Sequence, residues 1–257
     1  MPSALFVFIV GSIVGSFLNV CIYRLPREKS IVSPRSHCPH CKKSIGWYDN
    51  VPFLSYLFLK GRCRFCHKRI SFQYVLVEGI TALAFLVVYL NFGLSGRSLI
   101  YAGWFGALIA ASFIDLEHQI IPDEISLGGL AVGLLVSVFY PPLHQVSGWW
   151  PSLWRSAVGA FVGGGSIYLI GLVGNFIFKK ESMGGGDVKL LAMIGSVLGW
   201  KMTLLTFFIA PFFGSVVGII LKIREGAEII PYGPFLSLGS IVALLWGEVI
   251  LTYLGFR

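Results

Sequence analysis

The sequence predicts an all-α polytopic membrane protein of about eight transmembrane helices, carrying a small cytoplasmic zinc-ribbon-like loop. Three observations predict it. Charged residues make up only 12% of the 257 and hydrophobic ones 56%, against roughly 25% and 45 to 50% in soluble domains. Long uncharged apolar runs recur along the chain, without the period-two alternation of a membrane barrel. Eleven of the twenty basic residues crowd into one segment, Arg24 to Arg69, which also holds four cysteines.

The runs fall in order. Residues 3–23 form the first, and the basic segment follows. Further runs occupy 73–92, where Glu78 is the sole charge, then 98–114, 125–143 and 156–178. A shorter one spans Leu190 to Trp200, and two more cover 202–221 and 229–247. Most approach the ~20 residues that cross a hydrocarbon core as a helix. Helices are required because in lipid each backbone amide must be satisfied within its own segment. The chain therefore divides into a first transmembrane helix (1–23), a cytoplasmic loop (24–72) and a multi-helix membrane domain (73–257).

Lysines and arginines orient it. The segment from Arg24 to Arg69 carries eleven of them against only Glu28 and Asp49, so the positive-inside rule makes it cytoplasmic and the N-terminus external. Eight crossings then also put Lys179, Lys180, Lys189, Lys222 and Arg224 inside, and leave Arg97, Arg155, Lys201 and Arg257 outside. The first apolar run has its positive charges after it and not before, so it reads as a retained anchor instead of a cleaved signal peptide. The net charge of +8 is on this account a topology signal, with lipid headgroups as a partner and no nucleic acid.

Two aspartates stand out. Asp115 and Asp187 each end an apolar stretch, and the second follows Gly184, Gly185 and Gly186. Eighteen residues separate Arg97 from Asp115, or ~27 Å of helix, which sets Asp115 at the inner boundary of a ~30 Å core. Thirteen residues back from Trp200, which with Lys201 marks the outer interface, is only ~20 Å, so Asp187 is expected ~10 Å deep, beneath the cytoplasmic surface. Its glycines would be irregular backbone at membrane depth, tolerated only where protein encloses it or water lines it. Two close carboxylates cannot both ionise cheaply, so one serves as base toward water while the other donates to a carbonyl oxygen. Glycines without Cβ atoms let a substrate backbone approach, which makes Gly184, Gly185 and Gly186, with neighbouring Lys189, the candidate substrate-binding residues.

Other readings fit the same residues. Paired membrane carboxylates also carry ions or protons in transporters. Asp115 could be an interfacial helix-end residue, Asp123 the N-cap of the next helix, and Glu117, His118 and Glu124 solvated loop. Lys189 could favour ionisation of Asp187 or reach toward headgroups.

The cysteines form Cys38-x-x-Cys41 and Cys63-x-x-Cys66, separated by 21 residues. Four thiolates on two short knuckles suit tetrahedral Zn²⁺, and a closed four-sulfur shell leaves no position for catalysis, so such a metal would fold the loop. A redox dithiol is the other use of such pairs. Cys21, alone in an apolar run, reads as packing.

Taken together, several stretches resemble the bacterial prepilin peptidases. They are Gly15 to Pro26, the run from Cys38 through Trp47–Pro52 to Cys66, Ile70-Ser71, Ile114-Asp115 with Ile121-Pro122-Asp123, Gly184 to Lys189, and Pro231 to Phe235. The resemblance covers nearly the whole chain, departing at Val75, where proline is common, and at Gly185 between the family's two defining glycines. It implies a membrane aspartic peptidase that cuts the basic leader from type IV prepilins and type II secretion pseudopilins, with Asp115 and Asp187 as catalytic pair and 73–257 as peptidase domain. It also implies transfer of a methyl group from S-adenosylmethionine to the new N-terminus, an activity associated with the N-terminal segment and cysteine loop. A location in the plasma (inner) membrane, with the active site at the cytoplasmic face, follows from both lines. Since the loop is itself basic, a basic leader is expected to meet acids elsewhere: Asp115, Glu117, Asp123, Glu124, Glu225 and Glu228.

Overall fold

The computed structural model describes residues 2–179, 183–225 and 230–256, with the side chains of Phe178, Leu221 and Glu225 not described. Lys180, Glu228 and Arg257, which entered the charge argument, lie outside these residues. Each apolar run has one principal helix: α1 (Pro2–Arg24), α3 (Gln73–Phe92), α4 (Gly96–His118), α5 (Asp123–Phe139), α6 (Trp149–Phe178), α7 (Gly185–Leu198), α8 (Trp200–Glu225) and α9 (Gly233–Tyr253), although the runs at 125–143 and Leu190–Trp200 extend past the ends of α5 and α7, and that at 229–247 begins before α9. A one-turn helix, α2 (Leu54–Phe58), lies in the loop. Among the described residues the only strand-like features are two isolated bridges.

The chain is thus helical and membrane-embedded, but the helices are not equal. Six are long and apolar enough to cross a bilayer. The two others counted as crossings are shorter, 17 residues in α5 and 14 in α7, or ~26 Å and ~21 Å of rise. The expected eight therefore separate into six full spans and two short apolar helices. Glycines with positive φ end two of these helices, Gly93 after α3 and Gly199 after α7, at φ 65° and 74°, a region that a residue without Cβ enters at no steric cost.

Two compact units share the chain, Met1–Ala110 and Ala111–Arg257. In the first, α1 and α3 run antiparallel at close range. Ser3 meets Tyr89, Gly11 meets Ala82, Gly15 meets Glu78, and Asn19 donates to the Tyr74 carbonyl at 3.0 Å. A Cβ on Gly15 would sit 2.7 Å from the Glu78 Cα. Small residues are what let helix backbones approach in lipid, where packing replaces the hydrophobic effect.

In the second unit the short α7 is the hub, packing against α5, α6, α8 and α9. Its Leu190, Leu191, Met193 and Ile194 are fully buried. The α6–α7 crossing is backbone on backbone at Gly159 and Gly195, where a Cβ on either would strike the other's carbonyl. Ser156 Oγ also donates to the Ser196 carbonyl at 2.7 Å. Such anchoring holds the N-terminal end of α7 where the chemistry lies.

Candidate active site

Asp115 occupies the last turn of α4 and is buried, 5% exposed. Its Oδ2 accepts the backbone N–H of Gly233, the first residue of α9, at 2.8 Å. A Cβ on Gly233 would lie 2.8 Å from that oxygen and 3.2 Å from Ile121 Cδ1, so glycine is the residue that lets this N–H reach the carboxylate. Asp187 lies in the first turn of α7, half-buried. Ile121 ties the two together, since a Cβ on Gly186 would also come within 3.2 Å of its side chain. The carboxylates are close enough to feel each other's charge, and Tyr232 in turn feels that of Asp187. The structure therefore brings together the two predicted acids and adds Tyr232 and Gly233. The sequence had marked Pro231 to Phe235 by resemblance, without giving it a role.

Several neighbours differ from expectation. Of the three glycines only Gly184 is extended, at φ −72° and ψ 139°. Gly185 and Gly186 already belong to α7, because the Asp187 N–H closes a turn on the Gly184 carbonyl. The edge at Gly185 is nevertheless open, as a Cβ there would meet nothing within 4 Å. Asp123 is not an N-cap. Pro122 holds that position and Asp123 opens α5, its carboxylate accepting Lys189 Nζ at 2.6 Å. Lys189 is thus occupied across α5 and α7, in an exposed pair. Glu117 and His118 are the final residues of α4 and not loop.

The loop of the first unit gathers its four cysteines. Their sulfurs all lie within 4.8 Å of one another and could hold a metal ion. Cys38 and Cys66 are 3.8 Å apart, and Cys41 and Cys63 4.0 Å. Four sulfurs bound at ~2.3 Å around a tetrahedral ion stand ~3.8 Å apart, so the cluster needs little adjustment.

The two knuckles are near copies, offset by 25 residues. Cys38 N–H donates to the Lys43 carbonyl as Cys63 N–H does to Lys68, at 3.0 and 2.9 Å. Ile45 closes on Ser36 as Ile70 does on Gly61, at 2.8 and 2.7 Å. Lys42 and His67 take the same left-handed turn, at φ 60° and 56°. Backbone N–H groups of Cys66 and Phe65 aimed at the Cys63 sulfur lower its pKa to about 6, and the thiolate is the form that ligates metal. Nearby, the Arg64 guanidinium bonded to Asp49 at 2.8 Å holds that carboxyl below the ordinary range.

A helical membrane protein bearing two neighbouring carboxylates and a four-thiol cluster is the class that fold and site define. Comparison with known proteins gives the family. The N-terminal part, residues 9–92, matches the Bacterial Peptidase A24 N-terminal domain, and residues 99–219 match the Type IV leader peptidase family. A Pseudomonas putida protein named prepilin leader peptidase/N-methyltransferase is 36% identical over 94% of this chain and 90% of its own length. An Escherichia coli type 4 prepilin-like proteins leader peptide-processing enzyme is 40% identical over 91% and 90%. One from Aeromonas hydrophila, with the same name as the Pseudomonas protein, is 34% identical over 95% and 91%. No solved structure gives a significant match. The chain belongs to the type IV leader peptidase family and is an enzyme of that family.

Proposed function

We propose that the protein is an aspartic endopeptidase that removes the leader from type IV prepilins and type II pseudopilins at the cytoplasmic face of the inner membrane, with its N-terminus outside, and then methylates the new N-terminus. The observation that carries the reading is the convergence of Asp115 and Asp187, in a chain whose relatives bear that name. The two acids share one proton. The ionised partner takes a proton from water, whose oxygen attacks the scissile carbonyl, while the protonated partner donates to the carbonyl oxygen. Collapse of the tetrahedral adduct breaks the C–N bond, with the proton going to the leaving amine. Gly233 N–H fixes the Asp115 carboxylate in orientation for this exchange. The open edge at Gly185, flanked by Gly184 and Gly186, admits the substrate backbone beside Asp187, and Lys189 borders it.

Residues 24–72 form the zinc-binding loop, with Cys38, Cys41, Cys63 and Cys66 as ligands of a structural Zn²⁺, and 73–257 form the peptidase domain. S-adenosylmethionine supplies the methyl group. Asp115→Asn and Asp187→Asn test the pair: each should lower kcat for prepilin cleavage in detergent by roughly 10²- to 10⁴-fold while the protein still folds. Full cleavage by either variant would overturn the assignment, and ion flux through liposomes without cleavage would support the transporter alternative.

A further inference from the structure

The turn from α4 to α5 carries more of the site than the acid that precedes it. Residues 119–122 lead from α4 to Asp123, and in them Ile121 is buried, 8% exposed, whereas Ile120 beside it is 48% exposed. Its side chain lies against two glycines from other helices. A Cβ on Gly186 would stand 3.2 Å from Ile121 Cβ and 3.4 Å from Cγ1, and one on Gly233 would stand 3.2 Å from Cδ1. Both glycines adjoin the chemistry. Gly186 immediately precedes Asp187 in α7, and Gly233 donates its N–H to Asp115 Oδ2 at 2.8 Å. The base of one aliphatic side chain thus meets the helix that carries one acid, and its tip meets the residue that holds the other.

The same turn reaches α7 a second time, where Asp123 accepts Lys189 Nζ at 2.6 Å. That pair is exposed, and water and salt screen it. The buried contact at Ile121 is therefore the stronger constraint on Asp187. A branch at Cβ restricts χ1, so the arm from Cγ1 to Cδ1 keeps one direction. Two acids that share a proton must reach the same water and carbonyl at hydrogen-bond distances of about 2.6–3.2 Å. Their separation has little tolerance.

We propose that Ile121 is a positioning residue for the acid pair: a stiff aliphatic spacer, seated against Gly186 at its base and Gly233 at its tip, that fixes how far Asp187 stands from Asp115. The inference rests on the aspartic-peptidase reading above. It also accounts for glycine at both neighbours, since a side chain at either position would press on the spacer.

Prepilin cleavage in detergent, beside thermal melts, tests the role. Ile121→Ala removes the arm and should slow kcat by roughly tenfold to a hundredfold, because a displacement of ~1 Å can cost ~10²-fold. KM should stay within about twofold, as the groups that bind substrate are untouched. Ile121→Val deletes only Cδ1, the atom at Gly233, and should lose less; Ile121→Leu keeps the carbon count and should retain most of the activity. If the alanine variant fails to fold, these two carry the test. Leu143→Ala is the control for plain loss of packing. Leu143 is 4% exposed in the turn beyond the far end of α5, so its truncation should lower the melting temperature and leave kcat unchanged. Gly186→Ala presses a methyl on the spacer, and in the Ile121→Ala background that pressure is relieved, so the two losses in kcat should be less than additive. Unchanged kcat in the Ile121 variants, equal slowing by Leu143→Ala, or strictly additive losses would overturn the spacer role. Full cleavage by Asp115→Asn or Asp187→Asn would instead overturn the peptidase reading on which it rests.

Discussion

Gly159→Ala should disable the enzyme without touching its carboxylates. The added methyl would lie 2.8 Å from Gly199 Cα and 2.9 Å from the Gly195 carbonyl carbon, where ordinary contact begins at 3.4 Å, so α6 and α7 must part by at least ~0.6 Å. Both obstacles are backbone and cannot swing aside. Overpacking of this kind costs about 1–3 kcal/mol. Because α7 carries Asp187 at its other end, a displacement of this size should also spoil the alignment of the acid pair, and a shift of ~1 Å can cost ~10²-fold. The expected result is cleavage slowed roughly tenfold with a lowered melting temperature. Gly165→Ala, in the same helix but with nothing within 4 Å of its Cβ position, is the control and should be neutral or slightly stabilising. The assay is prepilin cleavage in detergent beside a thermal melt of each variant. Equal activity and stability in the two variants would refute the view that the α6–α7 crossing sets the position of Asp187.

Other expectations follow from the same coordinates. Lys189→Met removes an ion pair whose side chains are 39% and 57% exposed, so it should change stability by under ~1 kcal/mol, measured by denaturation in detergent. Purified protein should carry one zinc per chain by atomic emission. Stripping the metal, or Cys38→Ser, should expose residues 25–72 to protease while the helical circular dichroism of the bundle persists. Burial lowers the pKa of His144 to about 4, with Arg155 adding repulsion. Between about pH 6.5 and 4 the unfolded chain then holds a proton that the folded one does not. Stability should fall as pH drops through that window, by up to about 3 kcal/mol, and His144→Gln should flatten the loss in thermal melts.

The membrane helices were legible because uncharged length is a strong signal, and each run has one principal helix. The acid pair was legible too, since each aspartate borders an apolar run and the second follows three glycines. What the sequence concealed was local. Nothing in Gly184 to Gly186 says that two of the three start a helix, because glycine has weak preferences and the packing of α7 decides. The role of Gly233 depends on one backbone N–H reaching a side chain 118 positions away, which no periodicity encodes. Asp123 looked like a cap, but Pro122 already fills that place and Lys189 claims the carboxylate. The 25-residue repetition of the two knuckles was visible in principle, as Cys-x-x-Cys followed by Lys and Ile at matching distances, but it becomes plain only when their backbone bonds coincide.

The duplicated knuckle divides the loop into parts with different freedoms. Each half folds through its own short-range hydrogen bonds and contributes two sulfurs, so neither alone completes the shell. The stretch between them, residues 46–60, links the halves and adds contacts of its own, such as Asp49 to Arg64, but supplies no sulfur, and closing a somewhat longer tether costs little entropy. Lengthening this bridge by a few residues should therefore leave the cluster intact, whereas one residue gained or lost inside either half would break it.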